Sequence, residues 1–261
     1  MAKVDIPLID VHTHVGLLPG VLNDAYTAED LCYIAEHEGA SFMLVSSAST
    51  TTVHQAYGTA EAIETVVKHG DRLGGMLWVN PRDPAWKADV ARALQHGFYG
   101  IKIHPPLDHY AVERAALDEV FACAQEHHWP ILTHADSDRT PMSSLCYEPL
   151  IKAYPDVVLI LAHLRLEAMT LARRYDNVYL DTTYVDPLIV EIGVAAVGAD
   201  RILFGSDAAE GFDVGHAPGV VRPRRSYAAL LEGMVSRGIS DKEMEKITYL
   251  NAKKVFRIGD R

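Results

Sequence analysis

The sequence predicts an α/β fold, a (β/α)8 TIM barrel built as a single domain over residues 1–261, and three observations predict it. Eight short, β-rich apolar runs recur along the chain with longer segments of helical pattern between them. Most of these runs are continuously apolar rather than alternating, as strands buried on both faces of a parallel sheet must be. The intervals of roughly 15 to 30 residues leave room for a helical crossover each. The chain length suits one barrel, and no repeat, low-complexity tract or linker marks a domain boundary. An eight-stranded open sheet is the alternative.

In order, the first run is Leu8 to His14, followed by Thr27-Ala28-Glu29-Asp30, which fits a capping box opening a helix. The runs Ala40 to Ser46 and Leu73 to Asn80 come next, and Asp83-Pro84 supplies an N-cap with proline at the first helical position. After Gly100 to His104, the segment Val112 to His128 places Leu117, Val120, Phe121 and Ala124 on one stripe, the signature of a helix packed on a sheet. Pro130 to Ala135, Val157 to His163, Val178 to Asp181 and Ile202 to Asp207 complete the set of strands, and Ser240-Asp241-Lys242-Glu243 opens a final helix.

Composition narrows the function. Lys+Arg number 24 against Asp+Glu 35, a net charge of −11 that opposes binding to nucleic acid or to an anionic membrane surface. A small-molecule substrate is expected instead. The three cysteines, Cys32, Cys123 and Cys146, are odd in number and far apart, and read as reduced, mostly core thiols. The amino terminus shows neither a secretory nor a transit pattern, and no apolar run approaches the ~18 residues that span a bilayer, so the cytoplasm is the expected compartment. A homo-oligomer is compatible with all of this.

The chemistry lies in the last residues of the runs. The first ends in His12 and His14, which at i and i+2 on a strand project to one face. The fourth ends in Lys102-Ile103-His104, the fifth run carries Thr133-His134, the sixth ends in Ala162-His163 and the eighth in Gly205-Ser206-Asp207. In a barrel these ends meet at the C-terminal rim, where active sites of this fold lie. Imidazole nitrogens with one carboxylate are a ligand set that Zn²⁺ accepts, and a bound ion brings the pKa of water towards 7. Asp207 would take that water's proton and pass it to a leaving group, while His163, if not a ligand, would bond the substrate oxygen or the water.

His12-Thr13-His14, Gly100-Ile101-Lys102-Ile103-His104-Pro105, His134, His163, Leu203-Phe204-Gly205-Ser206-Asp207 and the closing Asn251-Ala252-Lys253-Lys254-Val255-Phe256 resemble the amidohydrolase superfamily. The resemblance is strongest to its amidohydrolase-related branch of metal-dependent barrel hydrolases and decarboxylases, and it spans nearly the whole chain. It implies that His12, His14, His134 and Asp207 bind a divalent ion, most simply zinc. His163 would then ligate a second ion or act as a catalytic residue beside a single one. Some binuclear members carry a carboxylated lysine on strand four; in this branch an unmodified lysine is more usual, so one ion per chain is expected at this site, with two as the alternative. Where members often have His-Leu-Gly after strand six, this chain has His163-Leu164-Arg165, which implies a substrate preference of its own at Arg165.

Each residue also has a plainer reading. His104 would cap the loop after strand four, Lys102 would form a structural salt bridge, and Arg222-Pro223-Arg224-Arg225 would be a solvated basic turn rather than a seat for a substrate anion. Asp136, Asp138, Arg139, Asn80, Trp78 and Tyr184 are further candidates for the pocket wall, whereas His127 and His128 suit a helix C-terminus. The leading expectation is hydrolysis of an amide, lactone or carboxyl ester of a small polar or anionic substrate, with Lys102, His104, Arg165 and Arg222 binding it. The alternative is non-oxidative decarboxylation of an aromatic or muconate-type acid; phosphoester hydrolysis at a binuclear site and a metal-dependent binding protein rank below both.

Overall fold

A computed structural model describes residues 7–18, 25–135, 141–210 and 226–259. Its centre is one nine-stranded sheet: β1 Ile9–Leu17, β2 Ala25–Tyr26, β3 Phe42–Ser47, β4 Leu73–Trp78, β5 Gly100–Ile103, β6 Ile131–Thr133, β7 Leu159–Leu161, β8 Val178–Asp181 and β9 Ile202–Leu203. All eight expected runs form strands, and they pair in parallel in chain order from β1 through β3 to β9. The two-residue β2, which pairs antiparallel with the end of β1, is an addition too short to leave a periodic signal. The sheet curls until its ends meet: Val11 N–H donates to the Phe204 carbonyl at 3.0 Å, Asp207 N–H to that of His12 at 2.8 Å, and Thr13 bridges Ala208 in parallel.

Several expected strands end early. The ladder stops before Asn80, His104, His134, His163 and Asp207, so these residues lie on rim segments beyond the last paired positions.

Apolar residues of one parity, among them Val45, Leu77, Ile101, Ile131, Leu159 and Leu180, pack outward against the helices. Those of the other parity, Ile9, Val11, Leu44, Met76, Leu132, Ile160, Tyr179 and Leu203, form a second cluster with Ala252 and Phe256 of the last helix. Trp78, Lys102, Leu132, Ile160 and Tyr179 are successive register partners, so they share this inner face and Lys102 is carried into the interior at 1% exposure.

The helices follow their sequence signals with one shift. Thr27 heads helix Ala28–Glu38 with the reciprocal bonds of a capping box, and Ser240 does the same for Asp241–Glu245. Helix Arg114–His127 buries Leu117, Val120, Phe121 and Ala124. Asp83, however, caps a preceding turn by accepting from Ala85 N–H at 2.9 Å, and the helix starts at Trp86. In the closing segment, the Asn251 amide donates to the carbonyls of Ala199 and Ile202, both at 2.7 Å, and ties the last helix to the start of β9. No helix among the described residues is long and apolar enough to cross a membrane.

Candidate metal centre

The pairing of β1 with β3 shifts register between Asp10 and Thr13, so the two histidines sit in or just past an irregular stretch of strand. Their rings lie 5.1 Å apart at 80° and converge on one atom: Asp207 Oδ1 is 3.3 Å from His12 Nε2 and 2.9 Å from His14 Nε2. Both histidines are buried, Asp207 is nearly so, and its backbone is left-handed at φ 67°. That conformation is uncommon for a residue with a β-carbon.

The far sides of both rings are occupied. His12 Nδ1 meets Asp181 Oδ2 at 2.8 Å and Thr183 Oγ1 at 3.1 Å, while His14 Nδ1 meets the Ser46 hydroxyl at 3.0 Å. A carboxylate at Nδ1 fixes the proton there and turns the Nε2 lone pair inward. His12 Nε2 and Asp207 Oδ1 are then two acceptors facing each other, an arrangement that a cation relieves. Ligand atoms of His12, His14 and Asp207 all lie within 4.8 Å of one another, and two nitrogens with a carboxylate oxygen suit a divalent ion.

Burial, with the Lys102 charge adding to it, pushes the His12 ring down to about 4, against the pull of Asp207 and Asp181, so it is neutral and able to ligate. Burial alone would raise the Asp207 carboxyl, but the His14 hydrogen bond and the Lys102 charge hold it well below the usual carboxylate range. Asp181 is likewise depressed, its burial outweighed by His12 and His163.

Lys102 is the cation already present. Its ammonium lies 2.6 Å from His12 Nε2 and 5.8 Å over the Trp78 ring, and burial brings it down to about 8, against Asp207, Asp181 and Asp108. An incoming ion competes with this ammonium for the His12 lone pair.

The remaining histidines form a second layer. His163, left-handed at φ 71°, donates its main-chain N–H to Asp181 Oδ1 at 3.0 Å. Its Nδ1 bonds the Thr183 carbonyl at 3.1 Å, so its Nε2 accepts from His134 Nδ1 at 2.9 Å. The remaining nitrogen of His134 is left with its lone pair, and burial, His163 and Lys102 lower that ring to about 3. His134 lies outside the group of three. It stacks on His104 at 4.4 Å, and His104 stacks on Trp78 at 5.7 Å. His104 Nδ1 accepts from Leu107 N–H at 3.2 Å and caps Pro105–Asp108, and burial holds its ring well below the ordinary value.

Of the other expected site residues, Arg165 is exposed just ahead of helix Leu166–Arg174, and Tyr184 lies with its ring 6.2 Å from that of His163. Asn80 accepts from Arg82 N–H at 3.0 Å, within its own turn. Arg222 and its neighbours Pro223, Arg224 and Arg225 fall outside the described residues, as do Asp136, Asp138 and Arg139. Asp181 and Ser46 are not among the expected site residues, although each closes an expected strand as the assigned histidines do. Nor is Asp10, a carboxylate standing in an otherwise apolar run.

A curled parallel sheet whose C-terminal rim gathers histidines and a carboxylate makes this an α/β protein with a candidate divalent-metal centre. The chain belongs to the Amidohydrolase family, which it matches over residues 9–258. No curated protein matches it by sequence. Among solved structures, it is similar to 5-carboxyvanillate decarboxylase from Novosphingobium aromaticivorans with bound manganese (15% identity, 99% of each chain, TM-score 0.75). It is also similar to a probable 2-pyrone-4,6-dicarboxylic acid hydrolase from Acinetobacter baumannii (12% identity, 97% of this chain and 100% of that one, TM-score 0.70). A third is 4-oxalomesaconate hydratase from Rhodopseudomonas palustris (13% identity, 96% and 95%, TM-score 0.69). At these identities the likeness is one of fold.

Proposed function

We propose that this chain is a single-domain (β/α)8 barrel hydrolase that uses one divalent ion, zinc by the expectation above, on an amide, lactone or carboxyl ester of a small polar or anionic substrate. One observation carries the reading: His12 and His14, each braced at Nδ1, aim Nε2 at a single oxygen of a carboxylate kept anionic. His12, His14 and Asp207 hold the ion, with the free nitrogen of His134 as a fourth donor. When bound, the ion lowers the pKa of water and polarises a carbonyl. Asp207 accepts the water proton and returns it to the leaving group, while His163 orients His134. Lys102, Arg165 and Arg222 receive a substrate carboxylate, and His104 lines its seat. The unpaired thiols Cys32, Cys123 and Cys146 support a reducing, cytoplasmic setting.

The test is Asp207→Asn on a panel of amides, lactones and esters. Turnover is expected to fall by at least about a hundredfold, the usual worth of a positioned acid–base group, with ion still bound. Full turnover in that variant would remove Asp207 from proton transfer.

A second reading, decarboxylation of an aromatic acid, draws support from the Trp78, His104 and His134 stack, a flat aromatic wall beside the ion position, and from the solved relative that carries such an activity. Release of CO₂ from a carboxylated aromatic without incorporation of solvent oxygen would select it over hydrolysis.

A further inference from the structure

Asp10 is fully buried two residues before His12, yet it belongs to none of the roles above. Its Oδ1 receives the main-chain N–H groups of His12 at 3.0 Å and of Ser206 at 3.2 Å. These are one residue of the metal-holding group and the neighbour of another, on β1 and on the segment that follows β9. Asp207 N–H donates to the His12 carbonyl at 2.8 Å, so the two segments are cross-linked at main-chain level with one carboxylate as the shared acceptor.

The other oxygen, Oδ2, takes the hydroxyl of Tyr227. Tyr227 is buried and fixed at both ends. Its main-chain N–H donates to Glu38 Oε2 at 2.7 Å, and its hydroxyl also meets Ser206 Oγ at 3.1 Å, which in turn accepts from Ala208 N–H at 3.0 Å. A carboxyl group is costly to bury, and core packing alone would be served as well by an apolar side chain. What this one does is set the distance between β1 and the segment that follows β9.

We propose that Asp10 and Tyr227 are positioning residues for the metal-holding group, a carboxylate and a hydroxyl that together set the spacing of His12 and Asp207. The inference rests on the reading of His12, His14 and Asp207 as the ion's site. Neither residue touches the ion or the substrate; Asp10 acts through the main chain of His12 and Ser206, and Tyr227 acts through the side chains of Asp10 and Ser206.

The test measures Mn²⁺ dissociation constants of the full, metal-stripped chain by competition with a chromogenic chelator, beside the thermal midpoint of the metal-free protein. Tyr227→Phe keeps the ring and removes the hydroxyl, and is expected to bind Mn²⁺ about 10- to 100-fold more weakly, the range for partners that orient metal ligands. Tyr175→Phe, which removes a hydroxyl bonded to Glu148 on the outer layer, is expected to keep the parent constant. An unchanged constant in Tyr227→Phe, or an equal loss in Tyr175→Phe, overturns the proposal. Should Tyr227→Phe not fold, Ser206→Ala, which takes a partner from the Tyr227 hydroxyl and from Ala208 N–H, carries the same expectation and the same refutation. A parent chain that binds no Mn²⁺ refutes the reading of the site itself, a result distinct from equal binding by parent and variant.

Discussion

At the scale of single residues, the centre is governed by which atoms can accept and which can donate. His12 has its proton fixed on Nδ1 by Asp181, so Nε2 accepts a hydrogen bond from Lys102 and would give the same lone pair to a bound ion. Lys102 is therefore a competitor of the ion as well as a candidate anchor for substrate. Lys102→Met is expected to tighten divalent-ion binding by up to about tenfold, because a hydrogen bond worth roughly 0.5–1.5 kcal/mol need no longer be broken first. The same variant is expected to raise KM for an anionic substrate. Chelator competition and steady-state kinetics on one preparation check both, and weaker ion binding would instead make Lys102 a contributor to the ion's coordination.

At the scale of elements, the strands and helices owe their placing to signals of unequal strength. Helix Arg114–His127 was legible because an apolar stripe every three to four residues can be buried only by a helix. Asp83 caps a turn ahead of the helix that starts at Trp86, because Asp-Pro serves a turn as well as a helix start, and local sequence does not distinguish the two. The closing Asn251 resembled a family ending, but its physical work emerges from the fold: its amide satisfies two carbonyls where β9 begins. Asn251→Ala is expected to leave both without that donor and to cost about 1–3 kcal/mol. Denaturant unfolding of the variant measures it, and an undisturbed midpoint would show that the carbonyls find other donors.

At the scale of the whole molecule, gathering histidines into a buried rim ties stability to pH. The rings of His12 and His134 are neutral in the folded chain at about 4 and about 3, below the ordinary 6.5. A group depressed in the folded state contributes stability that is full above its unfolded value and is lost as pH falls towards the folded one. Their contribution to the thermal midpoint of the metal-free protein is thus full above pH 6.5 and is lost as pH falls towards about 3, while Asp10 and Asp108, raised by burial to about 7 and about 6, contribute in the opposite sense over the same interval. The midpoint of His134→Gln is therefore expected to fall less than the parent's between pH 6.5 and about 4, and parallel curves would mean that this ring is not kept neutral by burial.

By itself the sequence determined the alternation of buried strands with amphipathic helices, because burial on two faces and helical periodicity leave marks in local composition, though not the residues at which the strands end. It also determined that His12, His14 and Asp207 carry the right chemistry, since imidazole and carboxylate at strand ends are conspicuous against apolar runs. Only the tertiary structure decided that Asp181, 169 positions from His12, would brace it, that His163 would spend both ring nitrogens on Thr183 and His134, and that Asp10 would bridge β1 to Ser206 across 196 positions. Such partners are chosen by the curl of the sheet and the register of its strands. A hydrogen bond between distant segments depends on geometry that no local pattern of residues encodes.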